Sequence, residues 1–411
     1  MCPTKKQYNM NDSAGTHFED SDEYEGNSST SDVSMTDSES DEDEIDEENV
    51  TEEAGGDEEE DEIIKAIRQA SNKKRDHPPP VYLEDDVTDL SFHPKEDIIA
   101  ISNVVGDVSL YKYTNEENTL LGIMEVHTSS CRDIEFSENG KTLFSVSSDK
   151  AIMLSNVETQ NLVRFYEGAH DHPISCISVL DENLFCTGDD EGSIKLWDLR
   201  INSDTQIYKA KKHEDYISDI LTNDSKTHLL CSSGDGSLTT FDLQNRKFLV
   251  QTEEYEEELT CLGLFRRESK LISGTSKGKL LLFNWGEFGL HSDIFPGPKT
   301  CINAMIPITE NVVVTACDDG ILRATHLCPH RHLGIVGKHN FPVENVDICT
   351  DGRFIASSSH NSDVQFWNIE YFRDYDKVSN KHKKHERKKD LLNNLPSSKY
   401  ANASDFFSGL A

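Results

Sequence analysis

An all-β fold, a closed ring of seven four-stranded sheets between an acidic leader and a basic tail, is predicted by three features of this sequence. The first is a hairpin signature at residues 187–200, TGDDEGSIKLWDLR. Turn formers Asp190, Glu191 and Gly192 precede a strand from Ser193 to Trp197 whose apolar and polar side chains alternate. The second is recurrence. Positions equivalent to Trp197 fall at Tyr111, Ser155, Phe241, Phe283, Thr325 and Trp367, at intervals of 42 or 44 residues. A period of about 40–45 residues is that of a four-stranded propeller blade. The third is charge. The chain has 76 acidic and 40 basic residues, a net of −36. Residues 1–62 hold 24 acids against 2 lysines, while residues 377–411 hold 8 bases against 3 acids. The segment between them is also acidic, which disfavours nucleic acid over its general surface and favours basic proteins.

Residues 1–62 are dense in Asp, Glu, Ser and Thr and poor in apolar side chains. Too little surface is available there to offset chain entropy, so a disordered leader is expected. Within it Ser29, Ser34, Thr36, Ser38 and Ser40 each stand three residues before an acid, as in sites for acidophilic kinases. Phosphorylation would deepen the negative charge. Residues 63–80 read as a short helix and a proline linker: Ile63, Ile64, Ile67 and Ala70 share a face, and Pro78-Pro79-Pro80 ends it. Residues 81–84 then read as a strand that completes the last blade beside residues 363–367, so that the ring of residues 81–376 has no open sheet at its closure.

Each blade repeats an opening strand, a strand of small residues, a tight turn and a third strand at the anchor. Blade 1 shows Asp89-Leu90-Ser91-Phe92, then Ile98 to Ser102, then Asp107 to Tyr111. The fifth and sixth copies place Gly278 and Gly320 at their turns, where glycine accepts positive φ without a steric cost. His127, His170, His213 and His339 stand just before opening strands. Asp149, Glu191, Asp235 and Asp319 stand six residues before an anchor.

Trp197-Asp198, with weaker copies at Phe241-Asp242, Phe283-Asn284 and Trp367-Asn368, resembles the WD-repeat family. That resemblance implies a buried hydrogen-bond chain of His, turn acid, strand hydroxyl and Trp. His213, Ser233 and Asp235 match it, with Phe241 unable to donate. His170 meets Trp197 and Asp198 with Glu191 and Asp189 at the turn, and His339 meets Ser359, Asn361 and Trp367. A His–Asp–Ser set can also serve nucleophilic catalysis. Its recurrence from blade to blade points instead to a structural role, because buried polar groups need partners.

His326, Cys328, His330 and His332 alternate, but a straight strand spreads ligands along a line and Pro329 breaks it, so no metal or other cofactor is expected. The ten cysteines form no C-x-x-C pair, which suits a reducing compartment. No apolar run suggests a signal peptide or a membrane span. Lys381, Lys383, Lys384, Arg387, Lys388 and Lys389 form a basic run that resembles a nuclear or nucleolar targeting signal and could touch RNA phosphates. The Phe406-Phe407 pair that follows looks like a docking peptide.

The acidic leader, seven blades entered through Thr88-Asp89-Leu90-Ser91-Phe92-His93-Pro94, the Gly106-Asp107-Val108 turn, the lysine-rich tail and the Phe-Phe ending together resemble the WD-repeat protein 55 family. The resemblance implies a nuclear, chiefly nucleolar protein needed for ribosomal RNA production and ribosome assembly. The expected activity is that of a non-catalytic scaffold, monomeric within a larger complex, whose partners are basic assembly factors. Arg132, Tyr216 and Glu344, beside the loops that lead into opening strands, are candidate partner contacts. The alternative is a substrate receptor for a cullin-type ubiquitin ligase, since Trp197-Asp198-Leu199-Arg200 matches a W-D-x-R box, with Arg200 as the contact. No phosphate loop or unrepeated catalytic cluster supports an enzyme.

Overall fold

The computed structural model describes residues 75–201, 205–374 and 393–398. The acidic leader with Ser29, Ser34, Thr36, Ser38 and Ser40, the helix expected from residue 63, the basic run from Lys381 to Lys389 and the Phe406-Phe407 pair lie outside the described residues.

The described residues form seven four-stranded antiparallel sheets. In each of the first six blades the strands are ordered as in the sequence, from an inner opening strand to an outer edge. Opening strands of successive blades pack side by side, and that of blade 7, Val343–Ile348, packs against that of blade 1, Val87–Phe92. The result is a closed seven-bladed β-propeller. Closure uses the expected strand: Val81 pairs with Val364 and Tyr82 with Asp363, supplying the fourth strand of blade 7. Leu83 N–H extends this pairing to Ser362 O at 2.9 Å.

Seven apolar clusters hold the ring, and each straddles two neighbouring blades. Between blades 2 and 3, Phe144, Val146 and Ile152 meet Ile177, Phe185 and Trp197. The Phe185 and Trp197 rings stack with centroids 6.1 Å apart and planes 10° from parallel. Each fully buried ring of this kind contributes roughly 1.5–3 kcal/mol relative to exposure. Blade 7 meets blade 1 through Phe354, Ala356 and Phe366 against Leu90, Phe92 and Ile99. A sheet covered on both faces in this way reads as apolar in its middle strands, as Ile98–Asn103 and Val312–Cys317 do.

The inner edge poses a separate problem. Every opening strand is an edge strand, so its outward N–H and C=O groups lack a backbone partner on the axis side. Side chains from the preceding blade fill this need. Asp89 accepts from Ile134 N–H at 2.8 Å, Asp133 from Ile177 N–H at 2.7 Å and Glu135 from Val179 N–H at 2.7 Å. Asp219 accepts from Leu262 N–H, and Asp347 from Phe92 N–H across the closure, both at 2.7 Å. The carbonyls are served by donors one position earlier in the opening strands. Ser175 donates to Ile217 O at 2.7 Å, Ser218 to Leu259 O at 2.6 Å, and Asn303 to Val343 O at 2.9 Å. Thr88 and Thr260 donate likewise to Cys131 O and Ile302 O.

Placement inside the ring pushes these carboxyls up, Asp219 and Asp347 to about 6 and Glu135 to about 8, with the accepted N–H bonds opposing the shift. Asp89 is raised well above the usual carboxylate range by burial and by the charge of Asp133, to which it is hydrogen-bonded. Asp133, Glu135, Asp219 and Asp347 are half-buried.

A carboxyl whose folded pKa is raised stabilises the fold most fully below its unfolded value and loses that contribution as pH rises through its folded value. The contribution of these carboxyls to stability should therefore decline between about pH 4 and pH 8. Asp219→Asn keeps the acceptor for Leu262 N–H and should flatten that decline, whereas Asp219→Ala should cost roughly 1–3 kcal/mol. Thermal and urea unfolding of both variants at pH 5.5 and 8 checks this. An unchanged pH slope in Asp219→Asn contradicts the assignment.

Candidate functional site: the acidic end of the ring

The pairing register places two sets of loops at one end of the ring. Cys131 pairs with Ser147, Ile174 with Asp189, Ile217 with Ser233, Ile302 with Cys317 and Val343 with Ser359. Each opening strand thus starts beside the hairpin that follows the second strand. The loops leading into opening strands and the second hairpins therefore share an end, and buried histidines anchor them.

In blade 3, His170 Nδ1 lies 2.9 Å from Asp189 Oδ2, and His170 Nε2 lies 2.7 Å from Thr187 Oγ1. Trp197 Nε1 donates to the same hydroxyl at 2.8 Å. The order is Trp197, Thr187, His170, Asp189, with every polar atom matched. Burial lowers the His170 pKa against the raising effect of Asp189, which keeps the ring neutral near pH 7. Blade 7 repeats the chain as far as the histidine: Trp367 donates to Ser357 at 2.8 Å and Ser357 lies 2.7 Å from His339 Nε2, while His339 Nδ1 faces Asp363 at 3.6 Å, beyond hydrogen-bond reach. In blade 2, His127 joins Asp149 at 3.1 Å and Ser145 at 2.9 Å.

These chains differ in detail from the residues expected from sequence. The hydroxyl sits ten residues before the anchor, two earlier than expected. Ser233 instead donates to Asp215 O at 3.2 Å, and Ser359 donates to Asp363 at 2.5 Å as a support for the acid. The acid of blade 3 is Asp189, while Glu191 is exposed and pairs with Lys211 at 3.0 Å. Asp198 stands outside the chain and holds Arg200 at 2.6 Å. The Arg200 side chain is 70% exposed on this folded-back pair.

Blade 4 carries an incomplete chain. His213 Nδ1 meets Asp235 Oδ2 at 3.1 Å and Ser237 at 3.0 Å, but His213 Nε2 is buried without a partner. Cys231 occupies the hydroxyl position, and Phe241 replaces the indole donor. Cys231→Ser should supply the missing O–H and raise stability by roughly 1 kcal/mol. Urea unfolding measures it, and a destabilised variant contradicts the reading.

The end face itself is acidic. Asp171, Glu191, Asp215, Glu256, Asp318 and Asp319 are exposed on its loops, and the segment Glu253-Glu254-Tyr255-Glu256-Glu257-Glu258 crosses it between blades 4 and 5. A groove of about 510 Å³ runs beside this segment, lined by Lys212, Glu214, Asp235, Gln251 and Glu254. Exposed apolar groups stand among the acids: Phe341 is 49% exposed, Val104 44% and Val105 51%.

Arg132, Tyr216 and Glu344 all lie at this end. Arg132 Nη1 pairs with Asp190 of blade 3 at 2.5 Å, Tyr216 donates to Glu258 of blade 5 at 3.1 Å, and Glu344 meets His360 at 2.8 Å. Arg132 and Glu344 occupy the register position where other blades carry the hydroxyl or amide that serves the next opening strand. Both are too long and too charged for that role and turn to surface partners instead.

The histidine-rich stretch folds across a hairpin, because strands Ile321–His326 and Arg331–Lys338 are antiparallel. His326 Nδ1 lies 3.1 Å from Pro329 O, His330 Nε2 lies 3.3 Å from Asp293, and the His330 and His332 rings both meet Phe295. Among the described residues no group of three or more His, Cys, Asp or Glu side chains is gathered to hold a metal ion. No described helix is long and apolar enough to cross a membrane.

The WDR55 family model matches residues 78–372, the whole ring. The chain is 51% identical to the WD repeat-containing protein 55 homolog of Drosophila willistoni over 86% of this chain and 70% of that one. It is 52% identical to the homolog of Aedes aegypti over 86% of this chain and 75% of that one, and 50% identical to the homolog of Drosophila melanogaster over 86% and 70%. With its seven blades matched from closing strand to last anchor, the chain belongs to the WD repeat-containing protein 55 family.

Proposed function

We propose that this protein is a non-catalytic scaffold that receives basic proteins on the acidic end of its ring during ribosome assembly in the nucleolus. The observation that carries the reading is the concentration of exposed carboxylates on one end, interrupted by Phe341, Val104 and Val105. Opposite charge steers a basic partner to that end and sets its orientation, while apolar anchors within the acidic field supply the dehydrated contact. Family membership supports the role of an interaction platform. The histidines and acids that resemble catalytic sets are already engaged in holding the loops, which supports a role without chemistry. The basic run at residues 377–389 would hold the complex near pre-ribosomal RNA, and its lysines suit phosphate contacts.

Replacing Lys381, Lys383, Lys384, Arg387, Lys388 and Lys389 with glutamine should disperse a fluorescent fusion from the nucleolus while ring stability is unchanged. In the same cells, Glu256→Lys with Asp318→Lys should leave localisation intact and lower co-purification of lysine-rich assembly proteins at least about tenfold, as expected for reversal at a steering surface. Undiminished nucleolar enrichment in the first variant contradicts the targeting role. Undiminished co-purification in the second contradicts the docking face.

A further inference from the structure

Residues 393–398 return to the ring and add to the outer edge of blade 6. Ile335, in the edge strand Arg331–Lys338, bridges Asn394 in parallel. Ile335 N–H donates to Asn393 O at 2.8 Å, and Leu395 N–H donates to Ile335 O at 2.9 Å. Two hydroxyls then cover carbonyls of the same strand: Ser397 donates to Val336 O at 2.7 Å and Ser398 to Ile335 O at 2.8 Å. Tyr371 Oη lies 2.9 Å from Ser397 Oγ. Leu395 packs on the blade 6–7 cluster that holds Leu333, Val336, Ile369 and Phe372. Ser397 and Ser398 are buried, at 7% and 2% exposure.

Gly334 is shaped to this contact. Its φ is +142°, and a Cβ there would stand 2.3 Å from Asn393 O and 3.2 Å from Leu395 Cγ. The edge is thus a groove with a backbone rail at Ile335, a floor open only because residue 334 has no side chain, an apolar seat for one leucine, and two carbonyls that take hydroxyl donors. Strand addition of this kind draws affinity from the backbone and specificity from the alternate pockets.

We propose that the outer edge of blade 6 is a peptide-docking groove for a segment that lies extended as far as a leucine and then turns through proline and two hydroxyl residues, and that residues 393–398 are its built-in occupant. The occupant rests on a single leucine seat, a short backbone pairing and two hydroxyl contacts. A segment tethered in the same chain competes at an effective concentration on the order of millimolar, so a partner peptide gains the groove only where the native occupant is weakened or outbid. Phosphorylation of Ser397 or Ser398 would weaken it. The phosphorylated oxygen no longer carries the proton donated to Val336 O or Ile335 O, and its charge would face those carbonyls.

The test uses the full chain carrying Leu395→Asp, which empties the leucine seat without touching the ring. A fluorescent peptide of residues 391–400, Leu-Leu-Asn-Asn-Leu-Pro-Ser-Ser-Lys-Tyr, is titrated into it, into the native chain and into the double variant Gly334→Val with Leu395→Asp. Expected are binding to Leu395→Asp at least about tenfold tighter than to the native chain, loss of binding in the double variant, and loss with a peptide phosphorylated at both serines. Hydrogen exchange at the Ile335 amide should speed up in Leu395→Asp and slow again on peptide addition. Absence of binding to Leu395→Asp, equal binding to native chain and variant, or equal binding by the double variant would overturn the groove. Equal binding of the phosphorylated peptide would overturn the role of the two hydroxyls.

Discussion

The inner edge of the ring is the constraint on which the rest depends. Seven opening strands run along the axis side, and each exposes backbone groups that no further strand can pair. Carboxylates and hydroxyls sent forward from the preceding blade fill that gap, Asp219 to Leu262 and Ser218 to Leu259 being one matched set. Each such bond links two blades at the point where the wedge is narrowest. The apolar clusters outside them do the same over a larger area, since none belongs to one blade alone. The blade is therefore not a stable unit by itself, and closure by Val81 and Tyr82 is a condition of the fold rather than an ornament.

The same arithmetic of edges produces the candidate site. Once the opening strands are fixed in register, the loops before them and the hairpins beside them must emerge together at one end. Buried histidines bind the two loop sets to each other, as His170 does through Asp189 and Thr187. The loops are then free to carry charge without disturbing the sheets. Where an opening strand omits the inner-edge donor, as at Arg132 and Glu344, the side chain goes to the end face instead. Structure and surface are thus alternative uses of one register position.

Much of this was legible in the sequence, for stated physical reasons. The repeat period and the closing strand follow from strand length and sheet edges. The histidine chains were legible in outline but not in register. The acid stands eight residues before the anchor at Asp189, six at Asp149 and Asp235, and four at Asp363, because a tight turn lets any of these positions approach Nδ1, Asp363 only to 3.6 Å. The inner-edge acids were hidden: in Arg132-Asp133-Ile134-Glu135-Phe136 the alternation reads as a strand with one face to solvent, whereas Asp133 and Glu135 face the next blade. The blade 6 edge segment has no periodicity to betray it, and only Gly334 within an otherwise ordinary strand marks where another backbone comes close.

We propose that the acidic end, and not the circumference or the opposite end, receives basic partners. Zero-length coupling of carboxylates to lysine amines, applied to the full chain in nucleolar extract and read by mass spectrometry, addresses it directly. Cross-links should concentrate at Glu191, Asp215, Glu256, Asp318 and Asp319. Cross-links confined to acids such as Asp181, Glu182 or Glu310, near the far ends of the second strands, would contradict it.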